Sequence, residues 1–427
     1  MGRLYLPKIA PTSGQKGFMC GDVFVPISTT PPSSGQRGIQ IQNMFIPLKY
    51  SELEVLEGEK GVVLNGSNQK FFIPISDPIN LIFETISSVV SKNSSVDYTT
   101  EVSTFGAFDS SAKWMGGVLA NGKIYGIPHA ATEILVIDTE NDTTSTISCE
   151  SGSGKWFGAC LAPNGKIYCI PYISNKILVI DPATNSTYEF DSPAGDRKWN
   201  GGVVGPDGKI YCIPCLSDSV LVIDPETDIT ETFGDLSGIT TGWKWVGGTL
   251  ASDGNIYAFP NDIKNKNILK IKTNDKSVEL ISVDIFSSKS YKFQGCVVDE
   301  NSNIWGIPYT NDVLVSFSVS SSSATKHGSV GTSESKWFGG CLAPNGKIYA
   351  APYNSNSILE INPETGETAE IATGLSIDGK YRGCVLAPNG SVYFIPCFAT
   401  AVMKLSFSGS LTNFSQEICE SSVLNKF

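Results

Sequence analysis

Seven lysines stand directly before an aromatic residue at a recurring distance. They are Lys113, Lys155, Lys198, Lys244, Lys292, Lys336 and Lys380, spaced 42 to 48 residues apart. Their neighbours are Trp114, Trp156, Trp199, Trp245, Phe293, Trp337 and Tyr381. Seven cations brought to one place could hold an anion or an acidic partner, and seven rings could stack on sugars. The lysine recurs in every copy whatever the intervening loops do, which favours a structural role: pairing with a neighbouring Asp or Glu, or covering the ring beside it. The rings are likewise expected to pack between repeats. Trp243, just ahead of the fourth copy, lies outside the pattern and is the better candidate for an exposed contact.

Each copy also ends on a proline followed by a variable polar or aromatic stretch. Examples are His129-Ala130-Ala131, Tyr172 to Asn175, Asn261 to Asn267, Tyr309 to Asp312 and Tyr353 to Asn356. Variable loops on a rigid scaffold are where binding surfaces arise. The candidate binding residues are therefore Tyr172, Trp243, Asn261, Asp262, Lys264, Tyr309, Asp312, Tyr353 and Asn354. The enlarged stretch from Asn261 to Asn267 is expected to protrude.

Catalytic patterns are sparse. The two histidines, His129 and His327, fall in different copies and form no metal-ligand cluster. No Gly-x-Ser-x-Gly elbow or phosphate loop occurs. Cys212-x-x-Cys215 has redox or zinc spacing, but residues three apart on a strand face opposite ways. The eleven cysteines mostly recur at repeat positions, as small core residues do. Turns such as Asn164-Gly165 and Asp207-Gly208 lack the acidic series of a calcium loop and are hairpin turns. No catalytic residue, metal site or cofactor is expected.

The elements that carry these residues follow from one copy. Trp156 to Leu161 forms a first strand, Pro163-Asn164-Gly165 a tight turn, and Lys166 to Ile170 a second strand. Ile177 to Ile180 is an unbroken apolar run, as in a strand buried on both faces, and Ser186 to Phe190 alternates as an outer strand. Four antiparallel strands per repeat make a propeller blade. First, second and third strands number seven each, but both Asp97–Phe105 and Leu411–Ile418 fit the last outer strand. Closure by Asp97–Phe105 is favoured, since an unpaired edge invites aggregation.

Residues 1–96 are read as a separate unit. Val23-Phe24-Val25-Pro26, Met44-Phe45-Ile46-Pro47 and Phe71-Phe72-Ile73-Pro74 are three versions of one apolar strand. Their prolines place them at edges or in incomplete pairings. Asp77-Pro78 starts a linker helix carrying Ile79, Ile82, Phe83, Ile86 and Val89. The opening forty residues are either a flexible arm or one that orders against a neighbouring subunit.

Composition narrows the partners. The net charge is −11, and residues 1–100 hold eight basic and eight acidic side chains, so the repeats carry the whole excess. An acidic propeller excludes nucleic-acid binding through a basic field. No run reaches the ~20 apolar residues of a spanning helix, and the start has no secretory core. A cytoplasmic origin is expected, with arrival outside the cell only as part of an assembly.

The apolar run with Asn-Gly-Lys-Ile-Tyr, and Ile-Leu-Val-Ile-Asp-Pro after it, resemble the YVTN-type repeats of the WD40-like propellers. The likeness covers about three quarters of the chain and implies a fold rather than an activity. The expected architecture is all-β: a seven-bladed β-propeller of four-stranded antiparallel blades over residues 97–427, preceded by a small mainly-β domain and one linker helix in residues 1–96. The expected function is non-enzymatic. Residues 1–96 would dock into a larger assembly, resembling a virion (phage) structural or attachment protein, oligomeric in that assembly. The propeller would present its loop face to a glycan or protein receptor. An intracellular interaction scaffold is the alternative, followed by a propeller enzyme of lactonase or quinoprotein type.

Overall fold

The computed structural model describes six short strands within residues 17–74, and then residues 99–149, 152–239, 242–262, 264–283 and 289–408. The chain divides into two compact units, residues 1–96 and 97–427. In the first, the strands pair as three hairpins: Gly17–Cys20 with Val23–Pro26, Gly38–Ile41 with Met44–Pro47, and Gly61–Asn65 with Lys70–Pro74. In each, the closing proline lies opposite the opening glycine, at the hairpin's open end where the missing N–H interrupts no interior ladder. The expected helix from Asp77 and the second closing candidate, Leu411–Ile418, lie outside the described residues.

The second unit is a seven-bladed propeller. Each of the first six blades is a four-stranded antiparallel sheet whose strands run from the axis outward in chain order. The seventh combines Tyr381–Leu386, Val392–Pro396 and Val402–Ser408 with Thr99–Phe105 from the start of the unit. The favoured closing strand thus completes the ring. Among the described residues no helix is long and apolar enough to cross a membrane.

The core lies between blades. Seven apolar clusters each join two neighbours, the cluster from Trp114 to Val402 sealing the seventh blade to the first. The repeated tryptophans are buried in these seams, and their indole N–H groups donate to the carbonyl where the third strand begins: Trp156 to Lys176, Trp199 to Ser219, Trp337 to Ser357. On the opposite face, second-strand tyrosines donate into the next blade, as Tyr168 does to Pro225 and Tyr393 to Thr139.

Each first strand carries a bulge. Trp156 pairs with Pro171, and the next pair is Ala159 with Cys169, so Phe157 and Gly158 together face one partner residue. The other blades carry the same extra residue. The bulge glycines, Gly116, Gly158, Gly201, Gly247, Gly295, Gly339 and Gly383, all have φ between +65° and +91°. A Cβ on any of them would sit 3.0–3.6 Å from the Cα of the next, and the series returns from Gly383 to Gly116. Seven backbones therefore touch in a closed ring around the axis, and only glycine permits both the conformation and the approach.

Two expectations follow. Gly247→Ala should cost about 2–4 kcal/mol, because a left-handed backbone and a backbone clash add. Gly165→Ala, at φ +79° but with open space around it, should cost only about 1–2 kcal/mol; urea unfolding midpoints compare the two. A chain starting at residue 97 should stay monomeric, whereas one starting at residue 107 leaves Val402–Ser408 as a bare edge and should aggregate, as light scattering will show.

Candidate functional site

The lysines are structural. All seven are buried, and their ammonium groups donate to carbonyl oxygens of the preceding loops: Lys155 to Ala131, Lys198 to Ser174 at 2.7 Å, Lys336 to Asn311 and Ser333 at 2.9 Å each. Lys244 adds a 2.6 Å bond to Asp218. Several also lie 5.4–5.8 Å from the ring beside them. Carbonyls, more than the expected carboxylates, therefore satisfy these charges. Burial pulls the pKa of Lys198, Lys292 and Lys336 down to about 8, against a smaller opposing pull from the nearby carboxylates of Asp196, Asp262 and Asp312. Each lysine carbonyl in turn accepts from the residue after the proline, as Lys155 does from Tyr172, so lysines and post-proline loops share one face.

At the centre of that face the repeat stops repeating. The bulge places one residue between the aromatic and the glycine toward the axis: Met115, Phe157, Asn200, Val246, Gln294, Phe338 and Arg382. Phe157 of the second blade and Phe338 of the sixth stack across the axis, with centroids 5.8 Å apart and planes tilted 30°. Met115, Phe157, Phe338, Tyr172 and Cys215 form an eighth apolar cluster, against which Trp243, Tyr309 and Tyr353 pack.

Polar groups are set into this mouth. The Arg382 guanidinium lies over Phe338 at 5.2 Å and Tyr353 at 4.9 Å. It donates to the Tyr353 hydroxyl at 2.8 Å and to Met115 Sδ, while its Nε has no partner among the described residues. Asn200 Nδ2 and Gln294 Oε1 are buried and also unpartnered. His129 donates from Nδ1 to the Trp156 carbonyl at 3.0 Å and meets the Phe157 and Tyr172 rings. Burial, with smaller contributions from Arg382 and Lys155, takes its pKa down to about 4 against the pull of that hydrogen bond, so it is neutral at pH 7.

Of the sequence candidates, Tyr172, Tyr309 and Tyr353 come together in the mouth wall, and Trp243 bridges Tyr172 and Tyr291 at 6.0 and 5.7 Å. The others mostly tie down loops. Asn261 is buried and donates to the Phe293 carbonyl, Asn265 is buried and donates to Lys244, and the Asp262 carbonyl takes the Lys292 ammonium. These bonds tie down the base of the enlarged loop. Lys264 is exposed, and its backbone N–H donates to Asp262. Asp312 accepts from Lys289 at 2.6 Å, and Asn354 Oδ1 from the Gly379 N–H at 2.9 Å. Sequence reasoning missed Met115, Phe157, Asn200, Gln294, Phe338 and Arg382. The available signal was that theirs is the one first-strand position without a common residue type.

Cys212 lies in a seam between blades and Cys215 in the mouth cluster, so the pair does not converge. Burial pushes the Cys215 thiol up to about 12. Among the described residues no group of three or more His, Cys, Asp or Glu could hold a metal.

No protein-family description and no curated protein matches this chain. Solved structures do. A streptogramin B lyase aligns with TM-score 0.62 and 16% identity over 72% of this chain and 98% of its own. A catalytically inactive virginiamycin B lyase from Staphylococcus aureus, solved with quinupristin, aligns with TM-score 0.62 and 14% identity over 72% and 99%. The extracellular domain of a one-component system from B. thetaiotaomicron aligns with TM-score 0.54 and 12% identity over 71% and 41%. These identities establish the propeller fold and leave the activity open.

The histidine gives a pH prediction. The folded pKa of His129 is about 4 and the unfolded value about 6.5, so the unfolded chain binds more protons between them. Stability should therefore fall as pH drops from about 6.5 to about 4, by up to about 3 kcal/mol from this group. Urea unfolding at pH 7 and pH 4.5 should show this loss reduced in His129→Asn.

Proposed function

We propose that this protein is a non-enzymatic recognition protein whose propeller binds carbohydrate through the rim of the mouth, while residues 1–96 attach it to a larger assembly. One observation carries the reading. The position just before each repeat lysine holds Ala112, Gly154, Arg197, Trp243, Tyr291, Ser335 and Gly379. Large side chains occur there only in the third, fourth and fifth blades, forming an arc of Arg, Trp and Tyr. Tyr291 is 47% exposed and has φ +56°, a left-handed backbone for which the second and seventh blades use glycine. Holding a tyrosine there costs about 1–2 kcal/mol, although about half of its surface stays open to solvent.

Exposed Tyr291 and partly exposed Trp243, flanked by hydrogen-bonding groups, offer the ring surface a sugar requires. Exposed Arg197 stands beside Asp196, and the Asp262 and Lys264 loop lies by Gly242, next to Trp243. The extracellular domain of a one-component system with the same fold supports work outside the cell. The virion setting draws no support from the similar structures and rests on the sequence alone. Screening the full-length protein against an array of neutral and acidic oligosaccharides should find binders. Trp243→Ala and Tyr291→Ala should each weaken the best of them about tenfold or more. No binding on the array, or undiminished binding by both variants, would overturn the reading.

A second reading is a propeller lyase. Neutral His129 at the mouth favours it, given the lyases that share the fold. A base with a pKa of about 4 is weak, which places this reading second.

A further inference from the structure

The axis of the mouth, inside the rim, contains a cation without a counter-anion. The lysines around it are satisfied by carbonyls, whereas Arg382 forms no ion pair among the described residues. Its two described hydrogen bonds go to a tyrosine hydroxyl and a thioether, the latter a poor acceptor, and its buried Nε goes unmet. Arg382 is only partly buried, so the outer part of its fork remains open to an acceptor from outside.

The surroundings define that acceptor. Arg382 is packed against the faces of Phe338 and Tyr353, which fixes the plane of its fork. A rigid fork of parallel N–H groups matches the two oxygens of a carboxylate. The walls beside it are rings and a thioether: Phe157, Phe338, Tyr172 and Met115. The Phe157–Phe338 stack separates Arg382 and Met115, in the seventh and first blades, from Asn200 and Gln294, in the third and fifth. On that second side the Asn200 side chain is 1% exposed and that of Gln294 2%, leaving one donor and one acceptor unpartnered. A flat ring can enter the stack if the two phenyl centroids part from 5.8 Å to about 7 Å, twice the carbon–carbon contact distance.

We infer that the axial mouth is a binding site for a small aromatic carboxylic acid, with its carboxylate on Arg382, its ring against Phe157 and Phe338, and any polar substituent on Asn200 and Gln294. The site lies inside the rim, sharing Tyr172 as a boundary with Trp243, and does not depend on carbohydrate binding. Its ligand is a molecule of one or two rings, because the glycine ring begins one residue below the phenylalanines.

The test uses full-length protein with benzoate, phenylacetate and indole-3-acetate, each against its neutral amide, and with acetate as the ringless control. Saturation-transfer NMR and calorimetry read the binding. At least one acid should bind, with its amide and acetate weaker by about tenfold or more, as expected for a charge-assisted hydrogen-bonded pair. Arg382→Met should weaken that acid about tenfold or more, Arg382→Lys should fall between, and Ile229→Ala, on the exposed outer strand of the third blade, should leave it unchanged. The inference is overturned if no acid binds at about 10 mM, a concentration that detects even millimolar sites. It is equally overturned if acid and amide bind alike, or if Arg382→Met leaves acid binding unchanged. Should Arg382→Met fail to fold, the acid-against-amide comparison on the unaltered protein decides alone. Glycan binding without acid binding removes this site and leaves the rim reading standing.

Discussion

Everything in the propeller depends on seven glycine backbones touching around one axis. The contact sets how near the first strands can approach. It works through absence: no side chain may occupy the innermost position, so the residue before it must extend along the axis. The bulge that accommodates the glycine is also what points Phe157, Arg382 and their counterparts into the mouth. A packing requirement and a binding surface arise from one irregularity in the pairing.

The fold was legible because its determinants repeat. Lysine, aromatic and proline recur in all seven copies, the Asn-Gly or Asp-Gly turn and the second-strand tyrosine in six, and a seam needs the same residue type wherever it recurs. The closing strand was legible for the complementary reason, since an edge must be covered. The chemistry of the lysines was only half legible. Their burial follows from recurrence, but their partners are backbone carbonyls, and a carbonyl belongs to every residue and leaves no mark in a sequence.

The site was legible where loops diverge and hidden where a strand does. Tyr172, Tyr309 and Tyr353 stand out after their prolines. Met115, Asn200, Gln294 and Arg382 sit inside the most regular part of the repeat, where variation reads as noise until a bulge shows that the position points to the axis. Asn261 and Asn354 show the converse error: a polar residue in a variable loop is as often a staple as a contact, and only its hydrogen bonds tell which.

The seventh blade has a consequence in time. Ser408 Oγ donates to the Thr99 carbonyl across 309 residues of chain. On the ribosome, the strand that completes the ring emerges first and its partner almost last, so six blades are made while the seventh cannot exist. Until then the half-built propeller has two open sides, and the closing segment must remain unpaired through most of synthesis. A strand waiting so long benefits from being poor in apolar side chains. Thr99–Phe105 reads Thr-Thr-Glu-Val-Ser-Thr-Phe, mostly hydroxyls with one charge, a composition that tolerates solvent until the last blade arrives.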